Sequence, residues 1–246
     1  MKYQIFILYL LLTVSFQSCQ KSLQKEMIVQ GNIKGLTKGT LYLDKLKDSV
    51  FTAVDSFNVR DNGQFTLGDN IESPEIYHLR IKEKANEFLL IFGEKGRITV
   101  NSKLDKFATA AKISGSTNQD LLSEYKKMIQ KFNDKRLDLF KANFEAEKEK
   151  NQKKLDSLDA VYKNLIRKRY LYTTNFALTH ADKEVAPYLA LTELYNAKIQ
   201  LLDTVNNTLS TTVKESKYGK QLADFIAVIK KNETSGSAHS VQDLLN

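Results

Sequence analysis

The 246-residue chain has one cysteine, Cys19, and no Cys-x-x-Cys pair. An internal disulfide is therefore excluded, and so is dithiol exchange, which needs one thiolate to attack and a second to resolve. Tryptophan is absent, and the only prolines are Pro74 and Pro187. The three histidines, His78, His180 and His239, lie far apart in sequence, so no metal site is expected from them. No nucleophile elbow precedes a serine, and Asp55-Ser56 suits a turn or a hydrogen-bonded pair better than the start of a triad. Gly31 and Gly35 flank a strand as a turn device, because a phosphate loop needs Gly-Lys-Ser/Thr ahead of a helix. The sequence thus predicts no catalytic residue and no cofactor.

Acidic charge is also in deficit, with 29 Asp and Glu against 37 Lys and Arg, a formal +8. The lysines are read along helices beside glutamates, without an aromatic-basic motif, so nucleic acid is not an expected partner. Most tyrosines, Tyr77 and Tyr195 among them, continue apolar stripes and are expected to pack in the core or at its rim.

Among the segments that are present, Asp55 to Gly68 gives the clearest local signal. Phe57, Val59, Phe65 and Leu67 alternate about Asp61-Asn62-Gly63, which predicts two strands with one face on a core, joined as a tight hairpin. Similar short runs recur from Met27 to Ile113, with turn residues every eight to twelve positions. Phe88 to Phe92 is continuously apolar, as in a central strand covered on both faces. Residues 27–116 are therefore expected to form an antiparallel β sandwich or open barrel.

The period then changes. Leu121, Tyr125, Met128 and Phe132 recur at helical spacing, and Leu139, Phe140 and Phe144 are read as continuing that stripe. Lys141 to Lys154 is almost wholly charged, and Leu155, Leu158, Tyr162, Leu165 and Ile166 resume the pattern. This predicts a long antiparallel helical hairpin with a solvated tip. Pro187 opens a further helix burying Leu189, Leu191, Leu194 and Tyr195, Asp203 caps a short one, and Ser216 to Lys231 forms the last. The fold expected is α+β, with an all-α region at 117–231 and a polar tail at 232–246.

The amino terminus reads as an export signal over residues 1–18. Lys2 precedes an apolar run from Ile5 to Val14 that is too short to span a bilayer permanently, a task for about 20 residues. Ser18-Cys19 resembles a lipobox, with Phe16 and Gln17 in place of the commoner residues. That resemblance implies lipidation of Cys19, a tether at 19–26, and a periplasm-facing outer-membrane lipoprotein of the cell envelope. The alternative is a plain signal peptide with an incidental cysteine near its end.

Met27-Ile-Val-Gln-Gly-Asn-Ile-Lys-Gly-Leu, Asp55-Ser, Asn62-Gly-Gln-Phe, Pro74-Glu-Ile-Tyr, Leu90-Ile-Phe and Ile113-Ser-Gly-Ser-Thr-Asn follow one another in an order that resembles a particular module. It is the uncharacterised amino-terminal domain of thioredoxin-like (TlpA-like) thiol:disulfide interchange lipoproteins, and the likeness covers most of residues 27–231. In such proteins a redox domain follows, whereas here the chain stops at Asn246. The resemblance implies a non-catalytic binding or interaction module, with the membrane and an envelope or thioredoxin-like protein as partners. Two alternatives stand beside it: a truncated or split oxidoreductase, and a chaperone-like, substrate-holding protein.

Overall fold

The computed structural model describes residues 25–47, 50–84 and 86–234. The export signal, Cys19, most of the tether and His239 lie outside the described residues. Eight strands come first: β1 (Met27–Lys34), β2 (Lys38–Lys47), β3 (Val50–Arg60), β4 (Gln64–Asp69), β5 (Glu75–Ile81), β6 (Phe88–Gly93), β7 (Gly96–Lys103) and β8 (Lys112–Ser114). Six helices follow: α1 (Thr117–Lys148), α2 (Gln152–Thr179), α3 (Val185–Glu193), α4 (Ile199–Thr208), α5 (Thr211–Glu215) and α6 (Lys217–Thr234). The architecture is α+β, as expected.

The strands form two four-stranded sheets, ordered β4-β1-β7-β8 and β3-β2-β5-β6, and the β region is a sandwich that does not close into a barrel. All pairings are antiparallel except β1 with β7, where Val29 lies opposite Ile98 in a parallel register. Alternate residues of both sheets, among them Val29, Leu43, Val59, Leu67, Leu79 and Val100, fill one core. Phe57, Val59, Phe65 and Leu67 all point toward that core, as their spacing predicts.

The hairpin expectation is corrected. β3 pairs with β2, and β4 pairs with β1, so Asp61-Asn62-Gly63 is a corner that carries the chain from one sheet to the other. Its backbone groups are taken by the end of β1 and the link to β2: Asp61 N–H donates to Thr37 O at 2.8 Å and Ile33 N–H to Gly63 O at 2.9 Å. Asn62 Oδ1 accepts the Gln64 N–H, and Asp61 and Gly63 take φ of 77° and 76°. The left-handed backbone therefore falls on Asp61 and Gly63 rather than on the Asn62-Gly63 pair that the sequence suggested, and it serves a crossover.

Gly31 sits within β1 rather than at a turn. A Cβ there would lie 1.7 Å from Val100 O of the adjacent β7. Gly31→Ala must push two paired strands apart and is expected to cost about 2–3 kcal/mol, the upper range for overpacking, read as a lowered denaturation midpoint.

The helical region is fastened to the second sheet. Ile76 and Phe92 are buried with Leu122, Tyr125, Ile129 and Leu189. Although β6 is an edge strand, not the central one expected from its apolar run, its Phe92 N–H donates to Gln119 Oε1 of α1 at 2.8 Å. Helical cover at one end accounts for the continuous apolar run, while Phe88 at the other end is left exposed. Glu94 accepts the Thr117 N–H at 2.6 Å and the Asn118 side-chain amide at 2.9 Å, placing a carboxylate at the positive end of α1. Asn118 Oδ1 in turn accepts the Val185 N–H at 2.9 Å. Buried Glu75 pairs with Lys45 at 2.7 Å and with Lys217, the first residue of α6. Burial pulls the Lys45 ammonium down, but the hydrogen bond and charge of Glu75 outweigh it and hold Lys45 above the ordinary lysine range.

Two helical expectations are also revised. Asp203 lies inside α4, where it accepts from Lys230 at 2.7 Å, instead of capping the helix. Leu189 and Leu194 are buried as expected, whereas Tyr195 is exposed.

Candidate interaction surfaces

Helices α1 and α2, 32 and 28 residues long, form the expected hairpin. At 1.5 Å per residue the longer arm runs about 48 Å. Each start is capped by a side chain: Ser116 Oγ accepts the Gln119 N–H, and Asn151 Oδ1 accepts the Lys154 N–H, both at 3.1 Å. Lys150, with φ of 52°, makes the reversal between the helices.

The base of the hairpin is well packed. Tyr125 and Thr173 share a buried hydrogen bond at 2.7 Å, and Tyr125 also stacks on Tyr172. Burial pushes the Tyr125 hydroxyl well above the ordinary phenol range. Further out the packing opens. Phe140 is 72% exposed, and Leu137, Phe144 and Tyr162 are exposed with it. Phe140 and Phe144 therefore do not continue the buried stripe.

The reason lies in helical phase. In step with Leu121, Tyr125, Met128 and Phe132, and beyond the exposed Lys135 and Arg136, lie Leu139 and Asn143, which are half-buried, and Ala146, which is buried. Leu137, Phe140 and Phe144 begin five residues after Phe132, so they form a second stripe on another face. Beside it lies a groove of about 520 Å³ between the two helices. Leu137, Leu139, Phe140, Leu158 and Tyr162 supply its apolar lining, with Arg136, Asn143 and Asp159 among the polar groups.

Charge is concentrated on the same arm. Lys126 to Arg169 holds fourteen basic and seven acidic residues, +7 of the chain's +8. The lysines are therefore gathered on the hairpin rather than spread evenly along the helices. Most of the arm's carboxylates have local partners: Asp138 lies 3.8 Å from Lys141 and Asp159 3.0 Å from Lys163, while Asp134 and Asp156 accept from Gln130 and Gln152. Lys148 Nζ stands 4.4 Å over the Phe144 ring. Arg136 makes no hydrogen bond or ion pair among the described residues.

A second surface lies on the outer face of the β3-β2-β5-β6 sheet. His78 is sandwiched between Phe51 at 3.7 Å and Phe88 at 3.9 Å. Beside it Arg80 pairs with the buried Asp44 and covers the Tyr42 ring at 4.3 Å. Burial lowers the His78 pKa below the ordinary imidazole value, with the Asp44 carboxylate opposing. The unfolded chain then binds a proton that the folded one resists, so stability falls as pH drops below about 6.5. Unfolding midpoints should decline from pH 7 to pH 5 in the wild type, with a shallower decline in His78→Gln. Equal slopes would show that His78 is not the group responsible.

The stack is closed on both sides of His78, so this face offers a contact surface and no slot. His180 packs on Phe176 at 4.6 Å at the end of α2. Among the described residues no three His, Cys, Asp or Glu side chains gather as they would around a metal ion. No helix among those residues is long and apolar enough to cross a membrane.

Residues 27–122 match the family described as "Domain of unknown function (DUF4369)". The DUF4369 match covers the whole sandwich and the first turns of α1, and it stops before the exposed part of the hairpin. It meets the sequence resemblance at its coarser level, an uncharacterised domain, over the β region. No curated protein and no solved structure matches the chain.

Proposed function

We propose that the protein is a non-catalytic interaction module of the cell envelope, held at the membrane by lipid on Cys19 and working through the groove of its helical hairpin. One observation carries the interaction reading. The outer half of the hairpin leaves Leu137, Phe140, Phe144 and Tyr162 in water on a frame otherwise well packed at its base. Contiguous exposed apolar surface of this kind marks sites where another molecule is covered or held. The Ser18-Cys19 boundary after an apolar signal supports the anchor, and acyl chains added to a single thiol and the new amino terminus give stable attachment.

The test is native electrophoresis of the full chain extracted from its own membranes in mild detergent. The wild type should migrate as a complex, and Leu137→Asp with Phe140→Asp should migrate as the free protein. Migration of both as the free protein would contradict the interaction reading. Intact mass supplies the test of the anchor: residues 19–246 plus acyl chains in the wild type, without acyl mass in Cys19→Ala.

A further inference from the structure

Resting on the reading of the groove as the interaction site, we infer that its occupant is an amphipathic helix of net negative charge contributed by a partner protein. Leu137 and Phe140 line the groove at i and i+3, the exposed Phe144 follows at i+7 just beyond it, a spacing that a third helix packs against, and Leu158 and Tyr162 of α2 form the opposite wall. An extended peptide would gain little here, since the outer hairpin presents no sheet edge.

The arm carries +7, and its carboxylates are largely engaged by their own neighbours, so the uncompensated charge is cationic. Within the lining, Asp159 is held by Lys163, while the Arg136 guanidinium has its donors unused by any described residue. Carboxylates flanking an incoming apolar stripe would meet Arg136 in the lining, within the positive field of the arm. Such pairs set partner choice and speed encounter, and apolar contact supplies most of the affinity. A helix flanked by lysines would meet repulsion at the same positions.

The test uses the full chain in detergent and two synthetic 21-residue helices with Leu at a and d. One carries Glu at e and g, the other Lys, and binding is read by fluorescence anisotropy. The inference expects the Glu helix to bind at least ten-fold tighter than the Lys helix, to weaken as salt is raised, and to lose its binding in Phe140→Asp. Equal, Phe140-dependent binding of both helices would overturn the acidic specificity and leave the groove reading standing. Self-association in sedimentation, abolished by Phe140→Asp without helix binding, would make a second copy the occupant and overturn the inference. Phe140-dependent binding to phosphatidylglycerol vesicles alone would replace the partner protein by an anionic lipid surface. Binding of either helix that persists in Phe140→Asp would overturn the inference and the groove reading together.

Discussion

Changing Leu137 and Phe140 together to Asp is expected to weaken partner binding at least 30-fold while leaving the fold as stable as before. The two halves of this expectation come from the same fact. Both side chains are already in water, so replacing them removes no core contact, and surface changes of this kind stay within about 0.5 kcal/mol. Binding is another matter. In an interface a few buried apolar residues near the centre dominate, each costing about 2 kcal/mol or more when lost, equal to about 30-fold in Kd. Two carboxylates placed in the groove would also repel an acidic helix. A parallel measurement of denaturation midpoint and binding separates this outcome from simple unfolding, which would lower both.

Phe92→Ala should have the opposite signature. Phe92 is fully buried where the sheet meets the helices, with its ring set edge-on to Tyr188 at 5.6 Å and to Tyr218 at 6.1 Å. Truncating a buried Phe leaves a cavity and costs about 4 kcal/mol, much of the total stability of an ordinary domain. Here the cavity falls on the seam between the two regions. Its loss should therefore show as a helical transition that separates from the sheet transition in thermal unfolding followed by circular dichroism. The polar fastenings at the same seam, Gln119 on β6 and Asn118 between Glu94 and Val185, would remain and limit the separation. A single, undisplaced transition in Phe92→Ala would show that the seam does not depend on this ring.

The sequence was most informative where one period held over a whole element. Alternation at Phe57, Val59, Phe65 and Leu67 identified strands and their inner faces correctly, because a half-buried strand needs nothing else. It could not reveal strand partners. The Asn62-Gly63 turn serves a hairpin or a sheet-to-sheet corner equally well, and what decides is the long-range bond from Ile33 to Gly63. The same limit applies to Phe88–Phe92, where an apolar run arises on an edge strand because helices that follow later in the chain cover part of it.

For the candidate site, the hairpin and its tip were legible, and the groove was not. The five-residue step from Phe132 to Leu137 was visible in the sequence and rotates the apolar stripe off the packed face. Leu139 is half-buried, whereas Phe140 and Phe144, one and five positions on, turn out into water. The surplus of cations between Lys126 and Arg169 was countable as well. The His78 stack left no local signal, since Phe51, His78 and Phe88 come from three strands that only tertiary pairing brings together.

The most direct test of the central claim is photocrosslinking in living cells, with a crosslinking amino acid placed at Phe140 in one strain and at Phe51 in another. The groove account predicts an adduct with one defined protein from position 140, recovered again when that protein is used to pull down the wild-type chain and missing when Leu137→Asp is added. An adduct from position 51 alone would move the working surface to the sheet and contradict the account.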